Sequence, residues 1–289
     1  MLSTAKRVIE SWILGIFSML FLWACNSGSQ SESIEKTATE EPNGLVEQEI
    51  DYQLDSLNMK GYLVYDERFE GKRSAVLVVH EWWGHNEYPR SRARMLAELG
   101  YVALSIDMYG DGKATDHPEN AQKFMMESLS DMGLAKARFI AALDLVKQNE
   151  LTDPSKTAAI GYCFGGAVVL HMARFGVDLD GVVSFHGNLA TEYPAEPGIV
   201  MSRVLVCNGA DDPFVPEDQR RAFKDEMESA GVNFEFINYP GSVHAFTNPG
   251  ADVYGEKFEL PLAYNEAADK QSWEKMKSFF DEIFADQAN

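Results

Sequence analysis

The chain has 289 residues, room for one large core or two small ones, and its 45% apolar and 24% charged composition excludes a largely disordered or fibrous protein. Its 45 acidic and 25 basic residues leave a net charge of −20, which works against holding nucleic acid or anionic lipid headgroups on a broad basic surface.

At the N-terminus, Lys6 and Arg7 precede an apolar run over residues 12–24 that ends at Cys25. A basic start, a short apolar stretch and a small residue before the cut describe a secretory signal. The order Leu22-Trp23-Ala24-Cys25 resembles a bacterial lipobox. On that reading residues 1–25 are the signal, and Cys25 is lipidated and becomes the mature N-terminus. It then anchors the protein at an extracytoplasmic face of a bacterial envelope, periplasm-facing or in the outer membrane. An uncleaved anchor and plain secretion are the alternatives; the run is short for a bilayer span. Residues 26–44, rich in Ser, Glu and Thr and poor in large apolar groups, cannot offset their ordering entropy and are expected to form a flexible tether. The globular domain then runs over residues 45–289.

Residues 50–66 alternate as in an antiparallel pair, with a hairpin turn expected near Asn58. Residues 74–80 read as a strand buried on both faces. Helical spacing over 90–99 closes at Gly100, a C-cap, and 101–106 is the next strand. A helix over 132–148, a strand over 156–161 and a helix over 167–175 follow, then strands over 181–185 and 203–207. A helix over 217–230, a strand over 233–239 and an amphipathic helix over 266–284 complete the series. Trp273, Met276, Phe280 and Ile283 form the core face of that last helix. Such alternation predicts one α/β domain, a doubly wound, mostly parallel sheet flanked by helices. With Cys25 lipidated, Cys163 and Cys207 are the remaining cysteines, too few for a disulfide framework. Cys207, in an apolar strand, reads as core filler.

Cys163 needs another explanation. It sits in Gly161-Tyr162-Cys163-Phe164-Gly165-Gly166, between a predicted strand and a predicted helix. The same spacing with serine is the nucleophile elbow of the α/β-hydrolase fold, which is the fold class predicted here. The elbow exposes Cys163 at the sheet's carboxyl edge and at a helix N-terminus, where partial positive charge favours the thiolate. A buried structural thiol beside a glycine-rich helix is the competing reading. In this fold the acid and the base follow the nucleophile in that order. Asp212 leaves the 203–207 strand in a turn, kept extended by Pro213, and is the expected acid; Asp211 is read as a turn cap. His244, in the loop after the 233–239 strand, is the expected general base, oriented by Asp212. His80, His85, His117, His171 and His186 show no metal-ligand spacing, so no metal or cofactor is expected.

With these residues in place the chain resembles the dienelactone hydrolase family over residues 61–284. The motifs are His80-Glu81-Trp82-Trp83-Gly84, the Cys163 elbow, Gly209-Ala210-Asp211-Asp212-Pro213-Phe214-Val215-Pro216, and His244-Ala245-Phe246. The resemblance implies cofactor-free hydrolysis of cyclic enol lactones by a cysteine nucleophile. It implies that Glu81 contacts that cysteine and helps it ionise, and that the backbone N–H groups of Trp82 and Phe164 form the oxyanion hole. Family members acting on dienelactone hold the substrate carboxylate with arginines, one shortly after the triad histidine; residues 244–249 contain none. Arg90, Arg94 or Lys113 are the other cations that would serve. Against this stands the reading of Arg90, Arg92 and Arg94 as a solvated helix face, with Arg94 paired to Glu98. The expected protein is thus a monomeric hydrolase of a small ester or lactone working through an acyl-enzyme, bound to membrane only through its lipid and to no nucleic acid. A catalytically silent binding lipoprotein of the same fold is the alternative; thiol redox chemistry lacks a Cys-x-x-Cys pair.

Overall fold

The computed structural model describes residues 39–40 and 44–285. The signal, Cys25 and most of the tether therefore lie outside the described residues. Within the stretch read as tether, strand β1 (Thr39–Glu40) pairs with Glu47 and Val46 of β2 (Leu45–Leu54).

Strands β2 and β3 (Leu57–Asp66) form a hairpin, in register from Leu45↔Asp66 to Leu54↔Leu57. Its turn is Asp55-Ser56, not the expected turn near Asn58, which lies in β3 and accepts a hydrogen bond from Gln53 (2.9 Å). Asp55 adopts φ +52°, a left-handed conformation that short polar side chains tolerate and a two-residue turn requires.

From there the chain alternates: β4 (Arg73–Val79), α1 (Glu87–Glu98), β5 (Val102–Ile106), α2 (Pro118–Leu129), α3 (Met132–Lys147), β6 (Thr152–Tyr162) and α4 (Phe164–Arg174). Then come β7 (Gly181–Phe185), β8 (Arg203–Gly209), α5 (Glu217–Ser229), β9 (Phe234–Tyr239), α6 (Ala251–Phe258) and α7 (Glu266–Ala285). The described strands form one nine-stranded sheet in the order β1-β2-β3-β5-β4-β6-β7-β8-β9. It is antiparallel through the β3–β5 pair and parallel from β5 to β9.

Alternation along the buried strands splits their side chains between two faces. Leu77, Val79, Leu104 and Val206 pack with α3, α4 and α5; Val76, Val78, Ile160, Val183 and Leu205 pack with α1 and α7. Cys207 is fully buried on the second face, a core residue as expected. Helices α2 and α6 were not expected. His117 caps α2 and Pro118 opens it, yet the helix buries only Ala121 and Ser128, and α6 buries only Ala251, so neither carries a strong apolar stripe.

The chain leaves β4 towards β5 on one side and β6 towards β7 on the other, while β4 and β6 are themselves paired. Their carboxyl ends are the topological switch point, where the diverging connections leave a crevice. Glu81 follows β4 there, and Cys163 follows β6.

Candidate active site

Cys163 is the single residue between β6 and α4, with φ +53° and ψ −113°. The glycines around it are demanded by space. A Cβ on Gly161 would sit 2.0 Å from the Gly165 oxygen, and one on Gly165 would sit 2.3 Å from the Val79 oxygen. Strand and helix backbones thus almost touch, and α4 begins at Phe164 instead of at 167. The turn leaves the Cys163 side chain partly exposed.

Asp212 and His244 reach the same edge from the ends of β8 and β9. His244 Nδ1 and Asp212 Oδ2 are 2.8 Å apart, both side chains are buried, and the Cys163 sulfur is close enough to His244 to act on its charge. The second Asp212 oxygen accepts the Phe214 N–H (2.8 Å). Burial alone would lower the His244 pKa, but Cys163 and Asp212 outweigh it and raise it to about 10, which favours an imidazolium between sulfur and carboxylate. Asp211 is exposed and caps the Gly241 N–H (3.0 Å), a turn role.

Glu81 is 2% exposed. Its Oε2 accepts a hydrogen bond from Asn248 Nδ2 (2.7 Å), and its Oε1 has no hydrogen-bond partner. No hydrogen bond joins it to the Cys163 sulfur among the described residues. Burial pushes its pKa up to about 7, against the lowering pull of Asn248, His244 and Arg92. The Trp82 carbonyl accepts from the Tyr109 hydroxyl (3.1 Å). The Phe164 ring stacks on His80 with centroids 5.5 Å apart. Phe164 N–H, first in α4, has no carbonyl behind it in the helix to bond.

The sequence reading missed the residues that hold these groups in place. His186, directly after β7, is fully buried with φ +41°. The Cys163 N–H donates to both the Phe185 carbonyl (3.0 Å) and His186 Nδ1 (3.1 Å). The ring proton is therefore on Nε2, which donates to Thr247 Oγ1 (2.7 Å); Thr247 in turn meets the Tyr88 hydroxyl (2.7 Å). Burial, with His244 and Arg92 as positive neighbours, holds the His186 pKa well below the ordinary range, so the ring is a neutral tie between the Cys163 backbone and the histidine loop. Its signal in the sequence was its place at the end of a parallel strand, shared with Glu81, Cys163, Asp212 and His244.

The predicted solvated arginine face needs correction. Arg92 is 3% exposed, enclosed by the rings of Tyr88, Tyr162 and Trp273, and donates to the Thr247 carbonyl and to Asp269 (2.7 Å). Arg94 bonds Glu87 and Tyr62 in place of Glu98, and Arg90 bonds Glu49. Helix α1 packs beside the β2–β3 hairpin, which puts these acids within reach. Lys113 lies 3.7 Å from Asp111. Among the described residues no group of three or more His, Cys, Asp and Glu could hold a metal ion.

Strand order, a cysteine on the strand–helix turn at the switch point and the chain order Cys163, Asp212, His244 define the class: an α/β-hydrolase. Within it the chain belongs to the dienelactone hydrolase family, whose sequence profile matches residues 59–284, and it is a carboxylic ester hydrolase. It is 30% identical over 215 residues to Protein usf of Aquifex pyrophilus, covering 72% of this chain and 90% of that one. A candidate carboxymethylenebutenolidase of Aquifex aeolicus is 29% identical over 241 residues, 81% of this chain and 97% of its own. Among solved structures, a dienelactone hydrolase-like promiscuous phosphotriesterase from metagenomic libraries superposes with a TM-score of 0.79 at 36% identity, over 83% of this chain and 99% of that one.

Proposed function

We propose that this protein hydrolyses a small carboxylic ester or lactone through a Cys163 thioester. The carrying observation is the Asp212–His244 hydrogen bond set beside a sulfur displayed on a strained strand–helix turn. The Cys163 thiolate attacks the carbonyl carbon, and the carbonyl electron pair moves to oxygen, where the N–H groups of Trp82 and Phe164 receive it. Collapse of that intermediate breaks the C–O bond, and the His244 imidazolium gives its proton to the leaving alkoxide. Water then gives a proton to neutral His244 as its oxygen attacks the thioester. The thiolate departs with its electron pair, and the acid is released. In a lactone the leaving oxygen stays tethered, so the product is one hydroxy acid. Asp212 keeps the His244 ring in register and stabilises its charged form. At rest Glu81 opposes thiolate formation, as a nearby carboxylate does; it takes up the thiol proton when substrate reaches Cys163 and returns it to the thiolate once the acid has left.

Cys163→Ala, Asp212→Asn and His244→Ala should each lower kcat/KM by about 1,000-fold or more while the fold persists. Mass spectrometry of wild type quenched during turnover should find the acyl group on Cys163. Near-wild-type hydrolysis by folded Cys163→Ala would sink the assignment.

We also propose that the enzyme is a monomer held by lipid on Cys25 at an extracytoplasmic face of a bacterial envelope. The basic–apolar–cysteine order of residues 6–25 supports this.

A further inference from the structure

The two N–H groups that receive the substrate oxygen in the reading above belong to different segments, and His80 contacts both. No backbone carbonyl among the described residues accepts from Trp82 N–H or Phe164 N–H. A trans peptide is planar, with its C=O and N–H pointing opposite ways, so whatever holds the Glu81 oxygen also aims the Trp82 N–H. Two donors hold it. His80 Nδ1 lies 2.6 Å from the Glu81 oxygen, and Gly84 N–H donates to the same atom (3.1 Å). Met108 N–H donates to His80 Nε2 (3.2 Å), so the ring proton sits on Nδ1, where it is donated to Glu81. On the other side the His80 carbonyl accepts from Gly165 N–H (3.1 Å), one residue beyond Phe164, whose ring stacks on the imidazole.

His80 is fully buried, and burial holds its pKa below the ordinary range against the raising pull of the Glu81 carbonyl and Asp107. Both ring nitrogens of this neutral imidazole are taken, so it has no proton to exchange with a substrate.

We propose that His80 is a positioning residue for the oxyanion hole: its Nδ1–H aims and polarises the Trp82 N–H, and its carbonyl sets the start of α4 against the end of β4. The inference rests on the Cys163 thioester reading and adds the residue that assembles the receiving pair. A hydrogen bond to a carbonyl draws electron density from its amide, which makes the N–H of the same peptide a better donor. The benefit is realised as the substrate oxygen becomes negative, so its loss falls on kcat more than on KM.

The test exploits two amide side chains. The Asn nitrogen stands where Nδ1 does, and the Gln amide reaches the place of Nε2. His80→Asn therefore keeps a donor for Glu81, whereas His80→Gln keeps a partner for Met108 and withdraws that donor. The readout is kcat for para-nitrophenyl acetate and for its thiono analogue, whose C=S develops charge on a sulfur that accepts hydrogen bonds weakly. Wild type should favour the oxygen ester by about 100-fold or more. His80→Gln should lower kcat for the oxygen ester about 10- to 100-fold, with KM within about threefold of wild type. It should also shrink the oxygen-over-sulfur preference at least about tenfold. His80→Asn should restore most of both. The preference isolates the hole, because an effect passing through the Glu81 carboxyl alters the two esters alike.

Should His80→Gln fail to fold, wild type still decides. In protein carrying isotope-labelled histidine, NMR should find the His80 proton on Nδ1, and a proton on Nε2 overturns the inference. So does a folded His80→Gln with wild-type kcat and preference, or a wild type indifferent to the sulfur. An Asn variant no better than the Gln variant assigns the loss to packing and overturns it too. All of these leave the Cys163 thioester standing. Hydrolysis by Cys163→Ala at the wild-type rate overturns the thioester reading instead.

Discussion

Glu81 carries a stability cost that can be read out directly. Its carboxyl titrates from 4.5 in the unfolded chain to about 7 in the folded one. Below 4.5 both states hold the proton and Glu81 contributes no difference. As pH rises from 4.5 to 7 the unfolded chain releases the proton first, so the folded state loses relative stability, and above 7 the loss is complete. Glu81→Gln should therefore stabilise the protein at pH 8 by up to about 3 kcal/mol and leave it unchanged at pH 4, as measured by urea unfolding. An equal effect at both pH values would assign the gain to packing. Loss of the carboxyl should also speed alkylation of resting Cys163 by iodoacetamide. At this scale Cys163, Asp212 and His244 were legible because spacing and chain order are sequence properties. His186, Thr247 and Asn248 were not, because their contacts join segments far apart: Asn248 reaches Glu81 across 167 positions and Thr247 reaches Tyr88 across 159. Arg92 was misread for the same cause, since the rings that bury it come from α1, β6 and α7.

The elbow depends on element packing as much as on Cys163. Gly165 lets the first turn of α4 lie on the end of β4, and its N–H donates to the His80 carbonyl (3.1 Å). Gly165→Ala would put a Cβ 2.3 Å from the Val79 oxygen and 2.7 Å from the His80 oxygen, both backbone atoms. It should destabilise the protein by roughly 2–4 kcal/mol and lower kcat by shifting Phe164 N–H. Denaturant unfolding beside steady-state kinetics checks both, and wild-type stability would refute the claimed closeness. The buried strands were easy to read because both faces of each are covered, which leaves continuous runs such as Ala75–Val79. Helices α2 and α6 escaped because they bury only one or two small side chains each. The hairpin turn was misplaced because alternation alone does not say which polar pair turns; Asp55 had to be recognised as the residue tolerating positive φ.

At the scale of the whole molecule, every site residue lies between Glu81 and Asn248, within the compact unit that begins at Ala38. A chain shortened to start at Gly44 should keep its kcat/KM within about twofold. A larger loss would mean that the N-terminal segment reaches the site. Intact mass of the native protein should begin at a lipid-modified Cys25, and peptides from before that residue would refute the anchor. The described residues include no helix long and apolar enough to cross a membrane. The sequence made the layered α/β plan plain, because strand–helix alternation permits few alternatives. The strand order that sets β4 beside β6 became legible only through the elbow motif. The tie made by Arg92 joins three elements. It links α1 to the histidine loop and, through Asp269, to α7. Through this one guanidinium, the seating of α7 is coupled to the position of the loop that carries His244.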